Sequence, residues 1–352
     1  MALKFPRDLS AWQQWQANSK PEQRVKNLLR KLKGRQEQNI VSCAVSGVLH
    51  MNHPEPELLI VLESTSPTSV VSLLRPVEYL KNPRVAVIAP MNVEEFLPSG
   101  SWRVHELDTD ALTQQRGVKV VLAAGHYLPL GAAVYRDAQK MGWEFIVVQH
   151  GLMTPFAPPL PENSTLLAFS DADGDFWRSG REDITVHTVG SQLFYEAAQK
   201  PKVDIESIDS TPVFLGQMHG AELPRLSFAR AGYKFCLNHG AIYRPHPSEK
   251  DKLSLITHKL WGQRGITVDT SAIPLNEMTH PVVSIFSTGV LEAAIRGIPS
   301  WVYHPKPEPW LIEFWERYGM NRWGDSPTEP PVQPCTAPAD TIARIIAEKL
   351  EK

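Results

Sequence analysis

The sequence predicts an α/β protein with two domains, each built on a parallel sheet covered by helices. Short apolar runs rich in β-branched residues alternate with helical segments along most of the 352-residue chain, a pattern typical of parallel strands joined by helical crossovers. A polar stretch at residues 196–210 interrupts this alternation. Because the chain is longer than most single domains, we interpret that stretch as a linker.

The same alternation sets the expected domain boundaries. We predict a basic amphipathic helical segment at residues 1–39, a Rossmann-like domain at 40–195, a second Rossmann-like domain at 211–335, and a C-terminal helix at 336–352. Strands are expected at, among others, the runs 40–48, 85–89 and 144–148, which are short and strongly apolar.

The N-terminal segment is strongly basic. Residues 1–35 hold nine Lys/Arg and two Asp/Glu, a balance of +7, whereas the remainder holds 27 and 36, a balance of −9. Its apolar positions share one helical face: Val25, Leu28, Leu29 and Leu32. With Trp12 and Trp15 nearby, this pattern favours an anionic membrane surface as a partner. A helix packed on its own domain, with its Lys and Arg solvated, is the alternative.

The three cysteines predict a reducing compartment. Cys43, Cys236 and Cys335 are scattered, which argues against a disulfide framework or a zinc site. No apolar run approaches the ~18 residues that span a bilayer, and residues 1–6 lack the apolar core of a signal peptide. We therefore expect a cytoplasmic protein, peripheral at most on the inner face of the membrane. The acidic run 171–175 lacks the later ligands of a calcium loop, so we interpret it as a helix start and predict no metal site.

Two histidines follow neighbouring strands of the first predicted domain. His126 comes after the strand 118–122, and His150 comes after the strand 145–148. Because ligands bind at the carboxyl ends of parallel strands, both side chains are candidates for catalysis. Each alone is also compatible with an ordinary hydrogen-bonded loop histidine. The stiff Pro-rich loop 154–161 then follows, in a position to shape a binding site.

The second predicted domain carries a pattern suited to a diphosphate. Arg244 and His246, in an Arg-Pro-His-Pro run, follow a strand and are suited to phosphate oxygens. The turn Ser287-Thr288-Gly289 opens a helix, where free amides and the helix dipole favour anions. Glu292, one turn later, and Gln217, after the first strand of this domain, are candidates for the nucleotide ribose. The alternatives that involve no ligand are a rigid turn for the Arg-Pro-His-Pro run and an ordinary capped helix after the Ser-Thr-Gly turn.

The order of these motifs resembles that of a known enzyme family. His-Gly at residues 150–151, Arg-Pro-His-Pro at 244–247 and Ser-Thr-Gly…Glu-Ala…Gly-x-Pro at 287–299 are similar to the motifs of the CDP-glycerol glycerophosphotransferases of teichoic acid synthesis, and of bacterial capsule-polysaccharide and sialic-acid transferases. The resemblance implies the GT-B architecture, two Rossmann-like domains facing across a cleft.

The resemblance also implies roles for the residues. His150 matches the histidine implicated in catalysis, with His126 as the alternative base; Arg244, His246, Ser287, Thr288 and Gly289 match the residues that hold the donor phosphates; Glu292 matches an acidic residue near the ribose. The implied activity is metal-independent transfer of a sugar, or a sugar or polyol phosphate, from a CDP- or UDP-linked donor to a polysaccharide or lipid-linked acceptor hydroxyl of the cell envelope. The donor is a substrate, so no cofactor is expected, and neither is nucleic acid. A sugar-nucleotide epimerase or hydrolase and a non-catalytic GT-B-like scaffold remain open alternatives.

Overall fold

The chain divides into two compact units. The computed structural model describes residues 2–19, 47–107, 117–271, 273 and 277–351. The first unit comprises Ala2–Tyr195 together with Pro334–Lys352, and the second comprises Glu196–Gln333. The chain thus leaves the first unit once and returns to it. The predicted basic helix at 24–33 and most of the predicted strand at 40–48 lie outside the described residues.

The first unit is built on an eight-stranded sheet in the order β4-β1-β3-β2-β5-β6-β7-β8. Its strands are β1 Val48–Met51, β2 Leu58–Val61, β3 Val85–Ala89, β4 Arg103–Glu106, β5 Val120–Ala123, β6 Glu144–Val148, β7 Thr165–Ala168 and β8 Thr185–Thr188. Neighbours from β3 to β8 pair in parallel. β1 differs from the prediction, because it runs antiparallel to both β3 and β4. The loop at residues 52–57 that joins β1 to β2 contains no helix, so no helical crossover holds β1 in the parallel direction.

Helices cover both faces of this sheet, as predicted. Alternate residues of β2 enter opposite cores: Leu59 and Val61 pack in one, Leu58 and Ile60 in the other. The helices of the unit are α1 Leu9–Ser19, α2 Pro67–Leu74, α3 Pro129–Met141, α4 Asp171–Arg178, α5 Gln192–Gln199, which crosses into the second unit, and α10 Pro338–Leu350. Helix α2 ends just before Pro76, and the chain continues as a 3-10 helix at Arg75–Tyr79. The helix start at Asp171 is also confirmed, with Ser170 as its N-cap.

The C-terminal helix α10 completes the first unit. Ile342 and Ile346 are buried against the sheet, and Lys349 Nζ lies 2.7 Å from Glu144 Oε1 on β6. The predicted C-terminal helix therefore packs through its apolar face on the sheet. Among the described residues, no helix has the length and apolarity needed to cross a membrane.

The second unit holds a four-stranded parallel sheet in the order β10-β9-β11-β12. Its strands are β9 Val213–Leu215, β10 Ile242–Arg244, β11 Val282–Ser284 and β12 Ser300–Val302, and its helices are α6 Arg225–His239, α7 Lys252–Gln263, α8 Thr288–Ile295 and α9 Pro309–Arg317. A parallel bridge between Tyr243 and Val268 extends the sheet beyond β10. Its core is aromatic: Phe214, Phe235, Tyr243 and Phe314 are at most 1% exposed. The β/α alternation predicted for this region is confirmed.

Candidate functional site

The carboxyl edge of the first sheet gathers three titratable side chains. Glu63, His126 and His150 follow β2, β5 and β6, which are neighbours in the sheet. All three are partly buried. The strand order thus brings the two histidines predicted from sequence to one edge, together with a carboxylate that sequence reasoning missed.

His126 lies in an apolar setting. Its ring meets Tyr135 edge-on, with centroids 5.0 Å apart, and its Nδ1 is buried without a hydrogen-bond partner. Burial, with a smaller contribution from the charge of Arg181, lowers the pKa of His126 to about 4. The imidazole is therefore neutral at pH 7, the form that accepts a proton, although it is a weak base.

His150 is held by a well-anchored strand end. The preceding residue, Gln149, is fully buried; its Nε2 donates to Asp173 Oδ2 at 2.9 Å and its Oε1 accepts from Phe169 N at 2.8 Å. Burial lowers the pKa of His150, opposed in part by a hydrogen bond to the Val148 backbone, and its Nδ1 is buried without a partner. The His-Gly turn thus presents a neutral imidazole on a rigid support.

Glu63 sits at the N-terminus of α3. Its Oε1 accepts from Leu130 N at 2.8 Å, and Gly131 N also donates to its carboxylate. Burial nevertheless raises the pKa of Glu63 to about 7, opposed by these two hydrogen bonds. A pKa near 7 is the range suited to general acid–base work. The available signal in the sequence was its position, two residues after a buried strand.

The Pro-rich loop is held by the N-terminal helix α1. Trp12 Nε1 donates to Phe156 O at 2.7 Å, and the Trp15 ring stacks on Phe156 with centroids 4.9 Å apart. Trp12 is only 3% exposed and also contacts Tyr127, next to His126. Both tryptophans therefore pack on their own unit, which corrects their assignment to a membrane surface. The basic positions predicted to join them lie outside the described residues.

The carboxyl edge of the second sheet is organised around the start of α8. Ser287 is the N-cap, and its Oγ accepts from Gly289 N at 3.2 Å. Gln217 Oε1 accepts from Phe286 N at 3.1 Å and from Ser284 Oγ at 3.0 Å. The amide oxygen of Gln217 thus joins the end of β9 to the end of β11 and fixes the Ser287 turn. These two hydrogen bonds use only Oε1, and Nε2 takes no part in them.

Thr288 and Glu292, predicted to bind phosphate and ribose, contact one another. The side chain of Thr288 hydrogen-bonds to the Glu292 carboxylate, one turn along α8. Burial raises the pKa of Glu292, while this hydrogen bond and Lys200 oppose the rise. The pair therefore forms one polar unit on the first turns of the helix.

Arg244 is engaged by groups beside β10. Its Nη1 lies 3.2 Å from Asp269 Oδ2 and 2.7 Å from Met278 Sδ, and its Nη2 contacts Ile273 O. These groups line a cavity of about 440 Å³ beside β10. The guanidinium is thus paired with a carboxylate, so its charge is partly neutralised within the unit.

His246 is stacked on a histidine that the sequence left unassigned. The rings of His219 and His246 lie 3.8 Å apart between centroids and 19° apart in plane. Ser248 N donates to His246 Nδ1 at 3.1 Å, and burial lowers the pKa of His246, opposed by Glu249. Two imidazoles at this distance stack most easily when both are neutral. The arrangement joins the loops that follow β9 and β10.

A buried carboxylate connects the two loops that carry these histidines. Glu249, 3% exposed, accepts from Met218 N at 2.9 Å and from Tyr243 Oη at 3.0 Å, and His258 Nε2 lies 3.0 Å from it. Glu249 thereby ties the loop after β9 to the Arg-Pro-His-Pro-Ser-Glu run. Over the residues that the structure describes, no group of three or more His, Cys, Asp or Glu side chains is arranged to hold a metal ion.

Neither a protein-family model nor a curated protein sequence matches this chain. Solved structures do resemble it. UDP-GlcNAc 2-epimerase of Methanocaldococcus jannaschii, in complex with UDP-GlcNAc and UDP, superposes with a TM-score of 0.50 at 15% identity, covering 83% of this chain and 99% of its own. UDP-N-acetylglucosamine 2-epimerase of Rickettsia bellii gives 0.48 at 8% identity over 84% and 95%, and Acinetobacter baumannii MurG gives 0.40 at 11% over 84% and 92%.

The first of these likenesses confirms the predicted fold class. The chain has a two-domain α/β fold of the GT-B kind, with a large, mainly parallel sheet. Identity this low shows the fold alone. The resemblance to CDP-glycerol glycerophosphotransferases continues to rest on its sequence motifs.

Proposed function

We propose that this protein is a transferase that moves a sugar, or a sugar or polyol phosphate, from a nucleotide-activated donor to an acceptor hydroxyl in cell-envelope or capsule polysaccharide synthesis. The observation that carries the proposal is the convergence, at the carboxyl edge of the second sheet, of Gln217, the His219–His246 stack and the Ser287 turn. Convergent polar groups at that edge are the usual place for a nucleotide in a parallel α/β sheet.

The donor diphosphate would be held without a dedicated cation of the protein's own. The amides of Ser287 and Thr288 and the dipole of α8 favour phosphate oxygens, and His246 and the Ser287 hydroxyl add donors. Stabilising negative charge on the departing nucleoside diphosphate lowers the barrier to its departure. Arg244 is paired with Asp269, and in this proposal it supports the loop beside the site and does not bind the diphosphate.

The first unit would supply the proton acceptor. In the proposed step the acceptor hydroxyl gives its proton to His150, its oxygen forms the new bond to the donor's transferred group, and the bond to the nucleotide phosphate breaks. His126 is the alternative acceptor. Glu63, with a pKa near 7, is a third group of suitable chemistry at the same edge.

An epimerase or hydrolase activity is the second candidate. Glu222 and His219 lie in the loop after β9, and burial raises the pKa of Glu222 while the Ala221 amide donates to it at 2.8 Å. A protonatable carboxyl in the same loop as an imidazole suits acid–base chemistry on a bound sugar. Product analysis with the donor alone separates the two: an epimer or free sugar formed without acceptor would favour this candidate.

The first experiment is a thermal-shift screen with CDP, CMP, UDP, GDP and dTDP compounds, followed by turnover with the nucleotide that binds. We expect at least one nucleotide to raise the melting temperature, and His246→Ala to reduce that rise. His150→Ala should keep the rise and lose turnover. His105→Ala, at an exposed position on β4, is the matched control.

Two outcomes would overturn the proposal. If no nucleotide in the screen shifts the melting temperature, the scaffold alternative is favoured. If both His150→Ala and His126→Ala turn over at near-normal rates, the proton acceptor is a different group, and Glu63→Gln becomes the decisive variant.

A further inference from the structure

Helix α7 of the second unit buries polar side chains and exposes aliphatic ones, the reverse of a typical amphipathic surface helix. Ser254 is fully buried and His258 and Thr257 are partly buried on its inner face, with Trp261 as the one large apolar side chain turned inward. Four aliphatic residues face water instead: Leu253, Leu255, Ile256 and Leu260, each 49–56% exposed. A surface helix normally buries its aliphatic side chains and exposes its polar ones. The reversed arrangement therefore needs an apolar partner outside the unit.

The exposed aliphatic residues form a stripe. Leu253, Ile256 and Leu260 are spaced by three and four positions, so they lie above one another on the helix. Lys252 and Lys259 lie beside the stripe, and Arg264 follows at its end; all three are exposed. An apolar stripe bordered by lysines is the pattern of a helix that lies in the plane of a membrane interface, with its lysines reaching the headgroups.

The charge around α7 is strongly positive. Residues 223–268 carry eight Lys/Arg and two Asp/Glu, a balance of +6, in a chain whose total is −2. Neither acidic residue offsets the surface: Glu249 is buried, and Asp251 is paired with Arg225 at 3.2 Å. Arg230 and Lys234 on α6 are exposed, and α6 adjoins α7 through the Tyr233–Trp261 contact. The surface is thus complementary to an anionic one.

The size of the stripe argues against a second protein chain as its partner. Four half-exposed aliphatic side chains present on the order of 400 Å² of apolar surface, whereas a standard protein interface takes about 800 Å² from each partner. A bilayer has no such minimum, because each apolar side chain that enters it contributes by itself and each basic side chain near anionic lipid adds to the attraction.

We propose that the α7 surface (Lys252, Leu253, Ile256, Lys259 and Leu260) docks on an anionic lipid bilayer. This surface is distinct from the N-terminal basic segment and contains no residue assigned to the donor site. It goes beyond the proposed transfer reaction, because docking requires only the lipid surface.

The test is flotation of the full-length protein with vesicles of phosphatidylcholine containing phosphatidylglycerol, compared with pure phosphatidylcholine. We expect binding to the anionic vesicles, reduced by roughly tenfold or more in Ile256→Gln/Leu260→Gln and in Lys252→Glu/Lys259→Glu. Ile205→Gln/Val332→Gln is the matched control, since both residues are aliphatic and even more exposed in the same unit, at 81% and 97%. All variants keep residues 1–35, so any contribution of the basic segment is common to them.

Two results would overturn the docking proposal. One is equal flotation of the wild type and both α7 variants. The other is a concentration-dependent dimer without vesicles that the Ile256→Gln/Leu260→Gln variant loses, which would assign the stripe to a second copy of the chain. Circular dichroism melts confirm that each variant folds, and the nucleotide thermal shift, measured without lipid, reports separately on the donor site.

Discussion

Tyr243 donates its hydroxyl to Glu249 Oε2 at 3.0 Å, and both side chains are buried in the second unit. The same carboxylate serves Met218 N and His258. A Cβ added at Gly216 would lie 2.4 Å from Tyr243 Oη and 2.8 Å from Glu249 Oε1, so this contact leaves room only for glycine. The loops that carry His219 and His246 are therefore tied to one buried anion.

Replacing Glu249 by alanine should destabilise the second unit. It leaves a buried amide, a hydroxyl and an imidazole without their acceptor, at a cost of about 3 kcal/mol in the free energy of unfolding. Nucleotide affinity should fall with it, since the donor loops lose their anchor. Urea unfolding measures the first effect. The control Glu329→Ala, at an exposed position, should change stability by less than about 0.5 kcal/mol; equal effects would contradict the anchoring role.

The raised pKa of Glu63 makes a pH prediction. Its carboxyl titrates near 4.5 in the unfolded chain and near 7 in the folded protein, so the protonated form favours folding. The stability that it contributes is present below pH 4.5 and is lost as the pH rises to 7, a change of roughly 3 kcal/mol. Glu63→Gln should remove this contribution and leave that of His126, so the β2 and β5 amides of the variant should lose protection against hydrogen exchange on acidification from pH 7 to 4.5. Glu95→Gln, at an exposed carboxyl, should leave the pH profile as it is.

His126 should produce the opposite trend. Its pKa falls from 6.5 in the unfolded chain to about 4 in the fold, so the neutral form favours folding. That stability is present above pH 6.5 and is lost as the pH falls to 4, again by roughly 3 kcal/mol. In the wild type the two groups offset one another. His126→Asn should therefore leave a protein whose β5 amides gain protection on acidification from pH 7 to 4.5, whereas His105→Asn should not.

Gly131 should tolerate no side chain. A Cβ there would lie 2.4 Å from Gly125 O and 3.0 Å from Glu63 Oε2, so Gly131→Ala forces the start of α3 away from the loop that carries His126. We expect a loss of about 1–3 kcal/mol. Gly262→Ala is the matched control, because it lies inside α7 with open space around the added methyl and should stabilise by up to about 1 kcal/mol. Thermal unfolding of both variants decides the comparison.

Two substitutions of Gln217 distinguish a structural role, joining β9 to β11, from a role in binding the nucleotide. Gln217→Ala removes the acceptor for Phe286 N and Ser284 Oγ, at about 1–2 kcal/mol of stability. Gln217→Glu keeps that acceptor and removes the amide nitrogen. If Nε2 binds the nucleotide, Gln217→Glu should lose affinity while keeping its melting temperature. Unchanged affinity in Gln217→Glu would limit this residue to joining β9 and β11.

The strands were predictable where burial is complete. β3 and β6 match the predicted runs 85–89 and 144–148, because residues 85–89 and 145–148 are continuously apolar. The direction of β1 was not predictable, since pairing direction depends on connections and neighbours rather than on the strand's own residues. The carboxyl-edge positions of His126 and His150 followed from strand order and were correctly anticipated.

Side-chain partners were less predictable than positions. Arg244 sits at the strand end where sequence put it, but only the fold shows that Asp269 reaches its guanidinium. Glu63 was missed because a single glutamate after a strand has the same sequence signature as a solvated one. Its burial and its contact with the start of α3 come from packing between segments 67 residues apart. Likewise, the sequence around Trp12 would look the same whether its side chain faced lipid or packed on Phe156, as it does in the structure.

The return of α10 to the first unit sets an order for events during synthesis. The second unit, Glu196–Gln333, is one continuous stretch and is fully synthesised before α10 is made. The first unit is not, because Ile342 and Ile346 of α10 belong to the same buried cluster as apolar side chains of its sheet, such as Leu58 and Val85. On the ribosome the part of that face which α10 covers stays exposed until residues 338–350 have been made, so the first unit cannot finish folding before the second unit has been synthesised. A nascent chain halted before residue 338 should thus recruit chaperones through this face.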